Sequence, residues 1–161
     1  MEEDLTVKVN EPVAGYPMTT YADVMAYIHG INISREDKVS VAKQLLFEVE
    51  NVNKANAINR LDWLATLSYD WDGYGASPVS SKVIENLRRV LSVSKDDDWS
   101  CWMISPESNG VLCLQSSRNM SSISVGTDEF SYYSNPSTGE FGEDHVPFTP
   151  KRFLGIMRKI A

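Results

Sequence analysis

Histidine and cysteine are nearly missing from this chain, with two of each in 161 residues. His29 and His145 have no Cys, Asp or Glu at metal-ligand or catalytic spacing, and Asp144 is merely the neighbour of His145, so no metal site is expected. Cys101 and Cys113 form no C-x-x-C pair, which leaves no thiol redox motif and favours a reducing, cytoplasmic setting over an export route. No stretch approaches the roughly twenty apolar residues of a membrane span. The first seventeen residues carry Glu2, Glu3 and Asp4 in place of a continuous apolar leader. Positive charge is also in short supply: 15 Lys and Arg against 22 Asp and Glu give a net charge of -7. That balance repels a phosphate backbone or an anionic lipid surface, so neither a nucleic-acid nor a membrane partner is expected. Arg88-Arg89 and the tail Lys151, Arg152, Arg158 and Lys159 read as solvated helix faces or as cations near a helix C-terminus. There is no phosphate-binding glycine loop, no G-x-G-x-x-G and no G-x-S-x-G nucleophile turn, so no cofactor and no catalytic residue is assigned.

What the chain does contain is the makings of one ordinary α+β domain. Apolar residues at 42% and charged residues at 23% are globular proportions. Residues 1–17, punctuated by Pro12, Gly15 and Pro17, read as a loose arm, and residues 18–161 as a single domain. Thr19 or Thr20 caps a short helix that Gly30 ends. Ser34 to Asp37 makes a capping-box-like start for a second, with Val39, Ala42, Leu45, Leu46, Val49 and Val52 at helical spacing. The pattern resumes at Ala55, Ile58, Leu61 and Leu64 with no Pro or Gly between Lys54 and Ala57, so Ser34 to Leu67 reads as one continuous helix. Ser80 or Ser81 starts another, burying Val83, Ile84, Leu87, Val90 and Leu91.

From Trp99 onward the period changes to two. Trp102 and Ile104, Leu112 and Leu114, Ile123 and Val125, Phe130 and Tyr132 each give a strand one apolar face, with serines between them and turn signals at regular spacing. Asn109-Gly110 is a hairpin turn pair, and Pro147 puts its segment at a sheet edge. Thr149-Pro150 opens a last helix with a stripe of Phe153, Ile156, Met157 and Ile160. The expected fold is N-terminal helices packed on one face of a four- or five-stranded antiparallel meander, closed by a C-terminal helix.

The densest signal is the loop Tyr69-Asp70-Trp71-Asp72-Gly73-Tyr74-Gly75-Ala76-Ser77-Pro78. Asp70-x-Asp72-Gly73 matches the D-x-D-G of haloacid-dehalogenase-type phosphatases, but that chemistry needs the motif at the end of a buried parallel strand, and here an amphipathic helix precedes it. The calcium-loop spacing fails at Tyr74. The plainer expectation is a structural clasp: aromatics packed back on the helices, Gly73 and Gly75 in conformations barred to other residues, and Asp70 or Asp72 accepting backbone N–H groups. Beyond that, Asp70, Trp71, Asp72, Gly73, Tyr74 and Gly75 form one candidate contact surface. Trp99, Tyr132 and Tyr133, expected near the wet face or rim of the sheet, form another. Three function classes compete: a non-enzymatic module binding an unknown protein or itself, a hydrolase or metal-dependent enzyme using Asp70 and Asp72, with His145 the next residue to consider, and an architectural homo-oligomer. The first is preferred, because no catalytic constellation is complete.

The runs Thr20 to Gly30, Trp71 to Pro78, Trp102 to Pro106 and Phe148 to Pro150 with Phe153-Leu154 together resemble a group of uncharacterised bacterial proteins. These share a W-D-G-x-G-A-x-P loop between helices, followed by a β region. The resemblance spans most of the chain from about Met18 and implies a bacterial origin and a shared fold. It implies no activity and transfers no site residue. In size and charge the chain also looks like immunity or antitoxin proteins.

Overall fold

The computed structural model describes residues 20–161, the side chain of residue 48 excepted. The expected arm of residues 1–17 lies outside the described residues. The chain divides into two compact units, the first ending at Glu50 and the second running from Asn51 to Ala161.

The first unit contains α1 (Tyr21–Gly30) and α2 (Arg35–Glu50), which contact each other. Thr20 caps α1 through a reciprocal box: the Asp23 N–H donates to Thr20 Oγ1 at 3.2 Å, and the Thr20 N–H to Asp23 Oδ2 at 3.0 Å. Ser34 repeats half of this at α2, accepting from the Asp37 N–H at 3.1 Å. Both caps lie where the S/T-x-x-D spacing puts them.

The second unit is α+β. It runs α3 (Val52–Leu64), α4 (Ser81–Val93), a single 3-10 turn (Asp96–Trp99), five strands, then α5 (Pro150–Ile160). The strands β1 (Trp102–Pro106), β2 (Leu112–Ser116), β3 (Ser122–Val125), β4 (Glu129–Ser134) and β5 (Phe141–Pro147) form an antiparallel meander in sequence order. Trp102, Ile104, Leu112, Leu114, Ile123, Val125 and Phe130 are all buried on one face, as the alternation requires. Against them pack Leu61 and Leu64 of α3, the predicted stripe of α4, and Phe153, Leu154, Met157 and Ile160 of α5. Phe130 and Phe153 meet edge to face at 5.1 Å between ring centres, joining sheet and closing helix. Thr149 caps α5, accepting from the Arg152 N–H, with Pro150 in the first turn.

The continuous helix expected from Ser34 to Leu67 is broken. Asn51 leaves helical backbone (φ -124°, ψ 40°), so α2 and α3 are separate. The cause lies 42 residues downstream, where Asp96 accepts from the Lys54 N–H and from Asn53 Nδ2, both at 2.8 Å. A carboxylate from the 3-10 turn thus serves the Lys54 backbone N–H in the first turn of α3, which a continuous helix would have satisfied internally, and holds the Asn53 side chain beside it. Val39, Val52 and Ile58, members of the helical spacing, are exposed, and α3 buries Ala57, Leu61 and Leu64. The β1–β2 connection spans Glu107 to Val111 and is wider than the two-residue hairpin that Asn109-Gly110 suggests. Its closure comes from the Glu107 N–H donating to Val111 O. Among the described residues no helix is long and apolar enough to cross a membrane.

Candidate functional site

The loop from Tyr69 to Pro78 is closed by its own polar groups. The Asp70 N–H donates to Ala76 O at 2.8 Å, joining the two ends of the turn. Asp70 Oδ1 accepts from the Gly75 N–H at 2.7 Å, and Asp72 Oδ1 accepts from the N–H groups of Tyr74 (2.8 Å) and Ala76 (3.1 Å). Both carboxylates therefore hold the backbone, as the clasp reading expects. Three residues sit at left-handed φ: Asp70 at 64°, Gly73 at 76° and Gly75 at 86°. Aspartate tolerates this region better than most residues because its short polar chain bonds locally, which Asp70 does here.

Trp71 is half-buried and donates Nε1 to Ser77 O at 3.0 Å, while Ala76 beneath it is buried. The trailing end is clamped to the β1–β2 turn by Ser77 N–H to Ser108 O (2.8 Å) and Ser80 N–H to Gly110 O (2.9 Å). At Gly110 (φ 86°) a Cβ would stand 2.8 Å from Pro78 O, so glycine is what permits this approach.

Of the aromatics in the loop, only Trp71 packs inward. Tyr69 is 70% exposed and Tyr74 94% exposed, contrary to the expectation that both fold back on the helices. Three carboxylate–amide bonds among Asp70, Asp72, Tyr74, Gly75 and Ala76 fix the backbone without needing their rings, which leaves both phenols in solvent.

The second predicted surface divides. Trp99 is buried in the core and donates Nε1 to the buried Ser94 Oγ at 2.8 Å, so its placement near the wet face is corrected. It lies in the 3-10 turn, where the strand period used to place it does not apply. Tyr132 shares the inner face with Phe130 and packs against the core, its ring 6.5 Å from that of Phe130. Only Tyr133 stands on the outer face, in register with Ser122. Desolvation, and after it the Glu140 carboxylate, hold its phenol above the ordinary value. Around it the outer face is half-buried serine and thiol: Ser105, Cys113, Ser124 and Ser131 lie in one cross-strand row.

His145 is remote from Asp70 and Asp72 in the fold, occupying a bulge of β5 opposite Ser131. It adopts φ 55°, donates its N–H to Ser131 Oγ at 3.3 Å and holds Glu129 Oε1 at 2.6 Å from Nδ1. Glu129 raises its pKa above the ordinary value. No group of three or more His, Cys, Asp or Glu suited to a metal ion occurs among the described residues. The enzyme reading needs both loop carboxylates turned into a hollow; a hollow of about 430 Å³ beside α3 is lined by neither.

Two features had no sequence signal. Asn86, on the buried face of α4, donates Nδ2 to Gly126 O and Thr127 O at 3.2 and 3.0 Å, pinning the β3–β4 turn. Arg60 of α3 donates Nε to Ile104 O of β1 at 2.9 Å. Compared with known protein families, curated proteins and solved structures, the chain matches none.

Proposed function

We propose that this chain is a protein-interaction module that presents Tyr69 and Tyr74 to a protein partner from a rigid loop. The observation that carries the reading is the contrast inside the loop: Asp70, Asp72 and Trp71 hold its backbone in place, yet Tyr74 is 94% exposed. A phenol on a fixed backbone has little conformational entropy left to lose on contact, which is how aromatic anchors gain affinity. The partner class is protein, because the net charge of -7 opposes nucleic acid and anionic lipid. The bacterial origin and the cytoplasmic setting belong to the same proposal, the first from the W-D-G-x-G-A-x-P resemblance and the second from the unpaired thiols of Cys101 and Cys113.

The test compares Tyr74→Ala and Tyr69→Ala with Met120→Ala, a control at an exposed side chain outside the loop. A partner captured by the wild type and re-bound as purified protein should lose at least tenfold in affinity with either tyrosine variant and none with Met120→Ala. All three variants should melt with the wild type. Equal binding by all four proteins refutes the loop as a contact. Sedimentation of the wild type distinguishes a foreign partner from a second copy.

A further inference from the structure

The geometry points to a second binding site, independent of the loop: the hollow between α3 and β1, fitted to an extended peptide with a free carboxylate. It has a volume of about 430 Å³, within the range of natural ligand pockets, and its walls include Asn53, Asn56 and Arg60 of α3 with Ser100, Trp102 and Met103. Backbone polarity supplies the first argument. β1 is an edge strand paired only with β2. Cys101 O accepts from the Ser117 N–H, and Ile104 O accepts from Arg60, so residues 101 and 104 face opposite sides of the strand. The N–H and C=O of one residue in an antiparallel strand point the same way, so Trp102 and the Ile104 N–H face α3. That row, repeating every second residue, is what another extended backbone matches.

Side-chain chemistry supplies the second argument. No carboxylate lines the hollow, although the chain is strongly acidic overall. Asp96 lies at one end, but its two oxygens are taken by Asn53 Nδ2 and the Lys54 N–H. Arg60 is held in place by its bond to Ile104 O and by stacking 4.5 Å over Trp63, and its Nη groups have no acceptor among the described residues. Trp102 is 7% exposed and its buried Nε1 has no hydrogen-bond partner, an omission that costs free energy unless a ligand or water supplies an acceptor. A guanidinium fork with free donors beside unpaired N–H groups selects a planar carboxylate.

The test uses the whole chain and two probes, acetyl-Thr-Val-Thr-Val as the free acid and as its C-terminal amide, followed by two-dimensional 15N NMR. The acid should move the Trp102 indole and Ile104 amide resonances saturably, with the amide at least tenfold weaker. Asn56→Asp, an exposed change that puts a negative charge on the wall, should weaken the acid at least tenfold while the spectrum stays folded. Arg60→Gln should do the same. Unmoved Trp102 and Ile104 signals with millimolar acid overturn the site. So does equal binding of acid and amide, an undiminished response in folded Asn56→Asp, or the same indole shift from inorganic phosphate.

Discussion

The two edges of the sheet meet the same hazard by different means. An unpaired strand exposes N–H and C=O groups that invite pairing with another chain. At the far edge, β5 carries Glu143 and Asp144, a bulge at His145 and a closing Pro147, and nearly every residue of it is exposed. Charge, twist and a missing donor protect it without cover. At the near edge, β1 is short and apolar, and α3 lies beside it with Arg60 capping Ile104 O. One edge is refused to partners by its own chemistry, whereas the other is guarded by a helix that leaves a hollow. A partner strand would therefore find its place at β1.

The strongest way to break this comparison is at β5. A Cβ on Gly142 would lie 2.4 Å from Tyr132 O, backbone that cannot step aside. Gly142→Val should cost about 2–3 kcal/mol, read from urea unfolding, and should expose the β4 and β5 amides to hydrogen exchange first. Unchanged exchange there would show that the far edge tolerates a wider spacing.

The near edge is tied down through the 3-10 turn that precedes β1. Asp98 accepts from Arg158 at 2.7 and 2.8 Å in a fork and from the Lys95 N–H at 2.7 Å. The Arg158 hydrogen bonds, against partial burial and with help from Lys95, hold its carboxyl below the ordinary 3.8. A depressed carboxylate contributes fully above that ordinary value and loses its contribution as pH falls through the lower, folded one. Asp98→Ala should cost about 2 kcal/mol near neutral pH, with the gap to wild type closing as urea midpoints are followed down to pH 2.5. A gap that persists in acid would mean Asp98 acts by packing alone. Asp96→Ala, which strips two donors of their acceptor in α3, should cost about 1 kcal/mol and open the amides of Asn53 and Lys54 selectively.

The smallest effect belongs to the bulge. Because Glu129 raises the His145 pKa, the ion pair contributes fully below the ordinary 6.5 and is lost as pH rises through the higher, folded value. Exchange of the His145 amide should speed up over that rise beyond the intrinsic rate, and His145→Gln should remove the extra acceleration. Loss of the bulge throughout the pH range in that variant would show that the imidazole shapes the edge as well as pairing with Glu129.

The helix caps and strand faces were legible because their causes are local. Thr20 and Asp23, Thr149 and Pro150, and the alternation of Ile123 and Val125 act on neighbours within a few residues. In the loop, the glycines and aspartates announced the clasp, but their spacing could not say which rings it would leave outside. Tyr69, Trp71 and Tyr74 are all aromatics with a polar tip, and it is the Trp71 bond to Ser77 O that holds that ring against the loop while both tyrosines stay exposed. The strand period begins only at Trp102, and Trp99, three residues earlier, lies in a turn where that period says nothing about its face.

The amino-acid order by itself determined an α+β chain, its meander, its terminal helix and a loop stiffened by two aspartates. The tertiary structure alone decided where α2 ends, which edge of the sheet is guarded and which side chains face the hollow. Those outcomes depend on contacts such as Asp96 with Lys54 and Arg60 with Ile104, between residues more than forty positions apart. Local propensity and periodicity act over a few residues, and only folding brings such distant pairs into reach.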